Sequence, residues 1–213
     1  MEGDLIYDSR VEIDEITALL RPFAELNHQQ LTATLRYTSL LQRWNSRINL
    51  TGVRSPKEVV TRHFGESFFA AQTLLTKDYT GTITDLGSGA GFPGIPMAMF
   101  APNAKVTLIE SNGKKAAFLN EVLRTLNLKN VSTFSHRAED YSQASNLVVM
   151  RAVERFEASL ELASRLVEPG GRLAVMIGNA QAEQAISLVP GCRWEGPIPV
   201  PESRSRVLLT GIL

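Results

Sequence analysis

The run Asp85-Leu-Gly-Ser-Gly-Ala-Gly-Phe-Pro-Gly94 constrains this chain more than any other segment. It follows the short strand-like stretch Thr82-Ile83-Thr84 and precedes the apolar run Ile95 to Phe100. A strand, a glycine-rich turn and a helix start, in that order, bring backbone N–H groups against a nucleotide-like ligand. Two kinds of turn share this outline, and spacing separates them. A dinucleotide-binding turn reads G-x-G-x-x-G/A, and its third small residue lets the helix pack closely on the strand. Counted from Gly87 and Gly89, that third position is Phe92, a bulky ring, and Gly91 makes the run G-x-G-x-G instead.

This spacing resembles the first motif of class I S-adenosylmethionine-dependent methyltransferases. A second requirement is an acidic residue ending the next strand, about 20 residues on in the related fold, to accept hydrogen bonds from ribose hydroxyls. Val106-Thr107-Leu108-Ile109 reads as that strand and Glu110 ends it. A glycine turn alone is common in purely structural roles; with Glu110 in register it points to an adenosine-containing ligand.

From Thr82 onward strands and helices alternate. Strands are expected at 82–86, 105–110, 131–135, 147–150 and 172–177, with helices near 93–100, 113–126, 154–167 and 180–188. This pattern predicts a mostly parallel sheet with helices on both faces. Pro190 to Pro201 is rich in proline and glycine, and Val207 to Leu213 reads as a final strand with no helix before it; two successive strands at the end suit an antiparallel hairpin inserted at the sheet edge. Residues 1–78 read instead as a helical extension contributing to RNA binding, with 79–213 as the ligand-binding domain. Ile13, Ile16, Leu19 and Leu20 form one apolar stripe, interrupted by Pro22. A second helix is expected from His28 to Asn45. A third starts at Ser55-Pro56-Lys57-Glu58, where serine and glutamate have the spacing of a capping box. Val59, Val60, Phe64, Phe68 and Leu75 would then face the core.

At 213 residues the chain can bury one sizeable core, or one domain plus an appendage. Lys and Arg total 22, as do Asp and Glu. With no net basic excess, nucleic-acid binding has to come from a local basic face. Cys192 is the sole cysteine, so neither an intrachain disulfide nor a multi-cysteine zinc site can form, and no metal is expected. The acidic N-terminus lacks an apolar signal core, and no run approaches the roughly 18 apolar residues of a membrane span. The expectation is a cytoplasmic protein without a membrane role.

Ligands of such sheets lie beyond the carboxyl ends of the strands, where strand order reverses. Asp85, Gly87 and Gly89 leave strand one, Glu110 leaves strand two, and Arg137-Ala138-Glu139 follows strand three. Glu139 is placed to receive an adenine amino group and Ala138 to offer backbone hydrogen bonds; the alternative is that Glu139 caps the next turn, and the convergence of strand ends favours the site. Strand four ends in Met150-Arg151-Ala152-Val153. Adenine and cytosine N-methyltransferases of this fold usually carry Asn or Asp followed by Pro-Pro-Tyr there, so an exocyclic amine is an unsuitable target. Guanine N7 presents its lone pair at neutral pH and asks for placement and water exclusion more than for a base. Arg151 would hold the cofactor carboxylate or guanine O6; the alternative is a surface arginine paired with Glu154.

A second cluster lies in the helical region: Arg43, Trp44, Asn45, Arg47, Asn49, Arg54, Lys57, Arg62 and His63. Basic side chains interleaved with an indole suit phosphates and unpaired bases. Trp44 falls in the apolar register of its helix, however, and a lone histidine such as His63 serves internal hydrogen bonding as readily as a site. Lys114 and Lys115 add charge near the ligand rim.

Leu41-Gln-Arg-Trp-Asn-Ser-Arg-Ile-Asn-Leu-Thr-Gly52, Arg62-His63, the glycine turn with its Phe-Pro-Gly-Ile-Pro96 tail, Glu110-Ser111, Lys114-Lys115, Phe118-Leu119, Arg137-Ala138-Glu139 and Arg151-Ala152-Val153 together resemble one family closely. It is the bacterial small-subunit ribosomal RNA methyltransferase G family, also called glucose-inhibited division protein B, and the resemblance runs from about residue 30 to 178. It implies a class I methyltransferase fold and N7 methylation of one guanine in the 530 loop of 16S ribosomal RNA, with S-adenosylmethionine as cofactor. Its substrate would be that RNA or the small ribosomal subunit, and its working form a monomer. Gly87, Phe92, Ala138, Glu139 and Arg151 match cofactor-site positions, while Asn49, Arg62 and His63 fall in the N-terminal motifs; Arg151, Asn49 and His63 are the candidate catalytic residues. Three positions depart from the family pattern. Glu66 replaces the usual aspartate, Ile177 replaces a lysine before Gly178, and the last strand lacks a lysine near its end. A methyltransferase acting on another substrate, a non-catalytic RNA-binding assembly factor and, more remotely, an NAD-dependent oxidoreductase are the competing readings.

Overall fold

In the computed structural model, which describes residues 12–153 and 155–213, seven strands form one sheet. They are β1 (Thr82–Leu86), β2 (Lys105–Ile109), β3 (Val131–Phe134), β4 (Ser145–Arg151), β5 (Val167–Gly178), β6 (Arg193–Pro199) and β7 (Arg206–Ile212), in the order β3-β2-β1-β4-β5-β7-β6. The first five run parallel, and β7 is antiparallel to both β5 and β6. Strand order reverses between β1 and β4, the place where open α/β sheets receive ligands.

Side chains alternate across the sheet with period two. Leu147, Val149, Ala174, Met176 and Leu208 enter one apolar core, while Val148, Met150, Val175, Ile177, Val207 and Leu209 enter the other. Because both faces are covered, β4 reads as an unbroken apolar run rather than as an alternating one. The second core lies beneath α7 (Phe156–Arg165) and α8 (Ala182–Leu188). The first holds α5 (Gly94–Phe100), α6 (Gly113–Leu126) and the whole N-terminal helical layer.

That layer comprises α1 (Ile13–Leu20), α2 (His28–Asn45), α3 (Pro56–Val59) and α4 (Glu66–Leu74). Asn27 starts α2 with a reciprocal capping box: its side chain accepts from the Gln30 N–H, and the Gln30 side chain accepts from the Asn27 N–H, each at 2.9 Å. Ile16 and Leu20 of the α1 stripe are buried, as are Val59, Val60, Phe64, Phe68 and Leu75. One apolar core therefore runs from Ile16 through Phe64 and Phe118 to Leu208, across residue 78. Each fully buried aromatic or leucine side chain in it contributes about 2–3 kcal/mol.

Four local features depart from expectation. Ser55 makes no side-chain cap, and Glu58, the other half of the expected box, pairs instead with Arg62 (2.7 Å), one helical turn on. A π-helical turn, Val60–Gly65, joins α3 to α4 and carries Arg62 and His63; such insertions re-aim side chains and cluster at functional sites. The segment Pro190–Pro201 contains the edge strand β6, with Pro197 and Pro199 in a place where a missing N–H is tolerated. The helix expected over 154–167 ends at Arg165, and β5 begins at Val167.

Candidate active site

A cavity of about 650 Å³ opens at the carboxyl ends of β1, β2 and β4, within the range that holds small molecules and cofactors. Gly87, Ser88, Gly89 and Phe92 form its floor, with Glu110, Ala138 and Glu139 on one side and His63, Thr51, Arg151 and Val153 on another. Gly87 has φ +72°, and a Cβ there would meet Val153 Cγ1 at 3.0 Å. A side chain would be strained by its backbone and would point toward the strap 152–153.

The turn is fixed by hydrogen bonds from below. Asp85 is fully buried, and its Oδ2 accepts from the Gly94 N–H (2.9 Å). Burial raises the Asp85 carboxyl to about 7, against the lowering effect of Gly94, Ser88 and Arg151. Asp85 thus braces the turn and does not line the cavity. Glu110 accepts from the Gly89 N–H at 2.9 Å with one oxygen and from the Asn112 N–H at 2.8 Å with the other. Each oxygen keeps a lone pair, and the carboxylate lines the cavity, so it remains able to accept from ribose hydroxyls. The exposed Glu139 reaches the same wall, as do the Ala138 backbone and Lys115.

The N-terminal layer completes the site. Tyr37 of α2 packs against the turn and donates to the Ala90 carbonyl. A Cβ at Gly91, where φ is +86°, would strike the Tyr37 hydroxyl, so the third glycine of G-x-G-x-G is demanded by this close approach. Phe92 is stacked between Tyr37 (centroids 5.4 Å apart, planes at 6°) and His63 (5.0 Å, 24°), with Phe64 edge-on at 4.9 Å. The bulky ring that argued against a dinucleotide turn is thus the middle of a three-ring stack.

His63 is held from a second direction. Asn45, at the end of α2, accepts from the N–H groups of Leu50 (2.9 Å) and Thr51 (3.0 Å) and donates to the Thr51 carbonyl (3.1 Å). The loop so folded sets the Thr51 hydroxyl 2.7 Å from His63 Nε2. Burial first, then the positive charges of Arg151, Arg62 and Arg206, pushes the His63 ring from 6.5 down to about 3. It is neutral at pH 7.

Arg151 is no surface side chain. Its Nη2 donates to the Arg62 carbonyl (2.7 Å) and lies 3.2 Å from Glu66 Oε2, while Arg206 Nε lies 2.5 Å from Glu66 Oε1. Its alternative partner, Glu154, lies outside the described residues. Of the sequence candidates, Gly87, Gly89, Phe92, Glu110, Ala138, Glu139, Arg151 and His63 line one cavity. Asn49 is exposed and off its wall. Trp44 is spent on packing edge-on to Phe118 (5.7 Å) and donates to Glu121 (2.9 Å). Thr51, Tyr37 and Arg206 were not singled out from sequence, and Glu66 only as a departure; Thr51 sits inside the Trp44-to-Thr51 block, which was the available signal. Among the described residues no group of His, Cys, Asp or Glu is placed to hold a metal, and no helix is long and apolar enough to cross a membrane.

The fold is that of solved methyltransferases. A predicted O-methyltransferase from Agrobacterium tumefaciens matches 67% of this chain and 78% of its own, with TM-score 0.54 and 23% identity. An S-adenosylmethionine-dependent methyltransferase from Aquifex aeolicus matches 67% of this chain and 88% of its own, with TM-score 0.56 and 17% identity. Sequence relatives are closer. Ribosomal RNA small subunit methyltransferase G of Xanthomonas campestris pv. campestris is 44% identical over 171 residues, 78% of this chain and 79% of that protein. The Stenotrophomonas maltophilia protein of the same name is 40% identical over 184 residues, 83% and 85% of the two chains. The family model described as rRNA small subunit methyltransferase G matches residues 30–195. With the glycine turn, Glu110, Leu50, Thr51 and Arg151 brought round one cavity, the chain belongs to the rRNA small subunit methyltransferase G family.

Proposed function

We propose that this protein transfers a methyl group from S-adenosylmethionine to N7 of a guanine in the 530 loop of 16S ribosomal RNA. The observation that carries the reading is the strand-β4 terminus. Arg151 stands there in place of an amine-binding Asn/Asp-Pro-Pro-Tyr, with both of its described partners, the Arg62 carbonyl and the Glu66 carboxylate, in the N-terminal layer. Among the described residues of the β4 terminus, Arg151 to Val153, none can take a proton from an exocyclic amine, and N7 requires no such step.

The cavity suits the cofactor: Glu110 has free lone pairs for ribose hydroxyls, the Gly87 position leaves room that a side chain would occupy, and Glu139 and Ala138 present hydrogen-bonding groups to an adenine edge. When bound, the cofactor supplies a methyl group on a sulfonium, released with the C–S bonding pair to sulfur as the N7 lone pair forms the new bond. Phe92 and Val153 keep that part of the cavity apolar, and Arg151 is held rigid to orient a carboxylate or a base carbonyl. Placement of this kind supplies much of the rate in reactions without proton transfer. Arg47 and Arg54 are exposed basic residues of the N-terminal layer that phosphates can reach, whereas Lys57 and Arg62 are paired with Glu15 and Glu58. We take the working form to be a monomer acting in the cytoplasm on the RNA or the assembled small subunit.

Incubating the protein with labelled S-adenosylmethionine and either small subunits or naked 16S RNA, then mapping the modified base, tests the reading. Label at N7 of a guanine in the 530 loop is expected. Label on an exocyclic amine, or on no base, overturns it.

A further inference from the structure

We propose that the cavity-facing side of the His63 ring is the seat on which the target guanine stacks, so that His63 holds the base as a neutral platform and not as an acid, a base or a hydrogen-bond donor. The inference rests on the functional reading above and adds where the base sits. Tyr37, Phe92 and His63 form a stack of near-parallel rings that begins in the buried core and ends at the cavity wall. One His63 face is covered by Phe92 at 5.0 Å. Its Nε2 edge is taken by Thr51 at 2.7 Å, and its Nδ1 is shut off from solvent with no partner. His63 lines the cavity, and its second face is what these contacts leave for it. A planar base laid there continues the stack by one ring, in the cavity that Arg151 and the glycine turn also line.

Charge favours the same use. Arg62, Arg151 and Arg206 surround the ring, and Glu66 is the acidic side chain set between the last two. Both the sulfonium and an N7-methylated guanine are cations, so an imidazolium would add repulsion to reactant and product alike. The ring stays neutral far below pH 7 for the reasons given above. The three braces, Phe92 behind, Thr51 at the edge and Asn45 behind Thr51, pre-set the platform, which reduces what base binding has to spend on ordering.

Aromatic stacking of one base is worth about 5- to 150-fold in affinity. Steady-state kinetics of His63→Phe, His63→Ala and His63→Gln on the RNA substrate that the wild type methylates, with cofactor affinity measured by calorimetry, decide the matter. His63→Phe is expected to keep kcat/KM within roughly 3-fold, whereas His63→Ala and His63→Gln raise the RNA KM roughly 10- to 100-fold with cofactor affinity unchanged. Thr51→Val, which keeps the ring and removes its brace, is expected to raise KM by a smaller factor, with Thr51→Ser restoring it. The pH profile of His63→Phe should match that of the wild type, since the ring at position 63 contributes no titration near neutral pH. Activity retained by His63→Gln and lost by His63→Phe overturns the proposal in favour of a hydrogen-bonding role. Unchanged KM in His63→Ala overturns it outright. Wild-type methylation at an atom other than guanine N7 would instead sink the functional reading, so the two failures are distinguishable.

Discussion

Glu66 Oε2 lies 3.2 Å from Arg151 Nη2, and this buried ion pair ties helix α4 to the carboxyl end of β4 at the cavity edge. Arg206 of β7 reaches the other oxygen of Glu66. A carboxylate between two guanidinium groups joins three parts of the fold that sequence order keeps far apart.

Glu66→Gln leaves Arg151 and Arg206 without their shared counter-charge. Removing one partner of a buried pair costs about 3 kcal/mol or more, which for a chain of this length lowers the melting temperature on the order of 10 °C. Glu66→Asp keeps the charge but is one methylene shorter, so it should fall between the two. Thermal denaturation of the three proteins checks this; a Glu66→Gln midpoint level with the wild type would refute it.

Gly87→Arg should abolish cofactor binding. Position 87 has φ +72° and borders Val153, so a long side chain both strains the turn and fills the cavity. Calorimetry with S-adenosylmethionine is expected to show at least a roughly 100-fold loss of affinity, given that displaced contacts are worth about 1.4 kcal/mol per factor of ten. Affinity equal to the wild type's would contradict this account of the turn.

Gly91→Ala is expected to destabilise the fold by about 2–4 kcal/mol, combining left-handed strain with overpacking against Tyr37 and Ile95, whose Cδ1 would lie 2.6 Å from the new carbon. Gly52→Ala, where nothing lies within 4 Å, serves as the control. Urea unfolding should separate the two clearly.

Asp85→Asn should change the pH dependence of stability. Burial lifts Asp85 from 3.8 to about 7 in the folded protein, so the native state holds a proton that the unfolded chain releases between those values. Stability from this group is full at low pH and falls as pH rises through that window. Relative to wild type, Asp85→Asn should therefore gain up to about 1 kcal/mol per pH unit between pH 4 and pH 7. His63 acts in the opposite sense, since its value falls from 6.5 to about 3 and its contribution is lost as pH drops through that range. Denaturation midpoints of the variants across pH 4–8 test both signs, and a constant gap between Asp85→Asn and wild type would rule out a raised Asp85.

Much of the site was legible because it is local. The glycine turn, Glu110 and Ala138-Glu139 each follow a strand, and strand ends of a parallel sheet converge whatever their sequence separation. Asp85 was read as a cavity residue because it opens the motif; only the pleat shows that it points beneath the turn. Strand β6 was hidden by Pro197 and Gly196, residues that speak against strands in general and are accommodated here at an edge with an irregular register.

By itself, the sequence determined the α/β architecture, the cofactor turn and the family, since period-two and helical patterns, turn residues and motif spacing are properties of neighbouring residues. The tertiary structure decided what lies across from them. Phe92 is a clash in one fold and the centre of the Tyr37–Phe92–His63 stack in this one. Arg151 is a lone cation in the chain and one arm of the Glu66 clamp in the protein. Both depend on contacts between residues about 30 to 140 positions apart, and only the packing of the helical layer on the sheet brings such residues within reach.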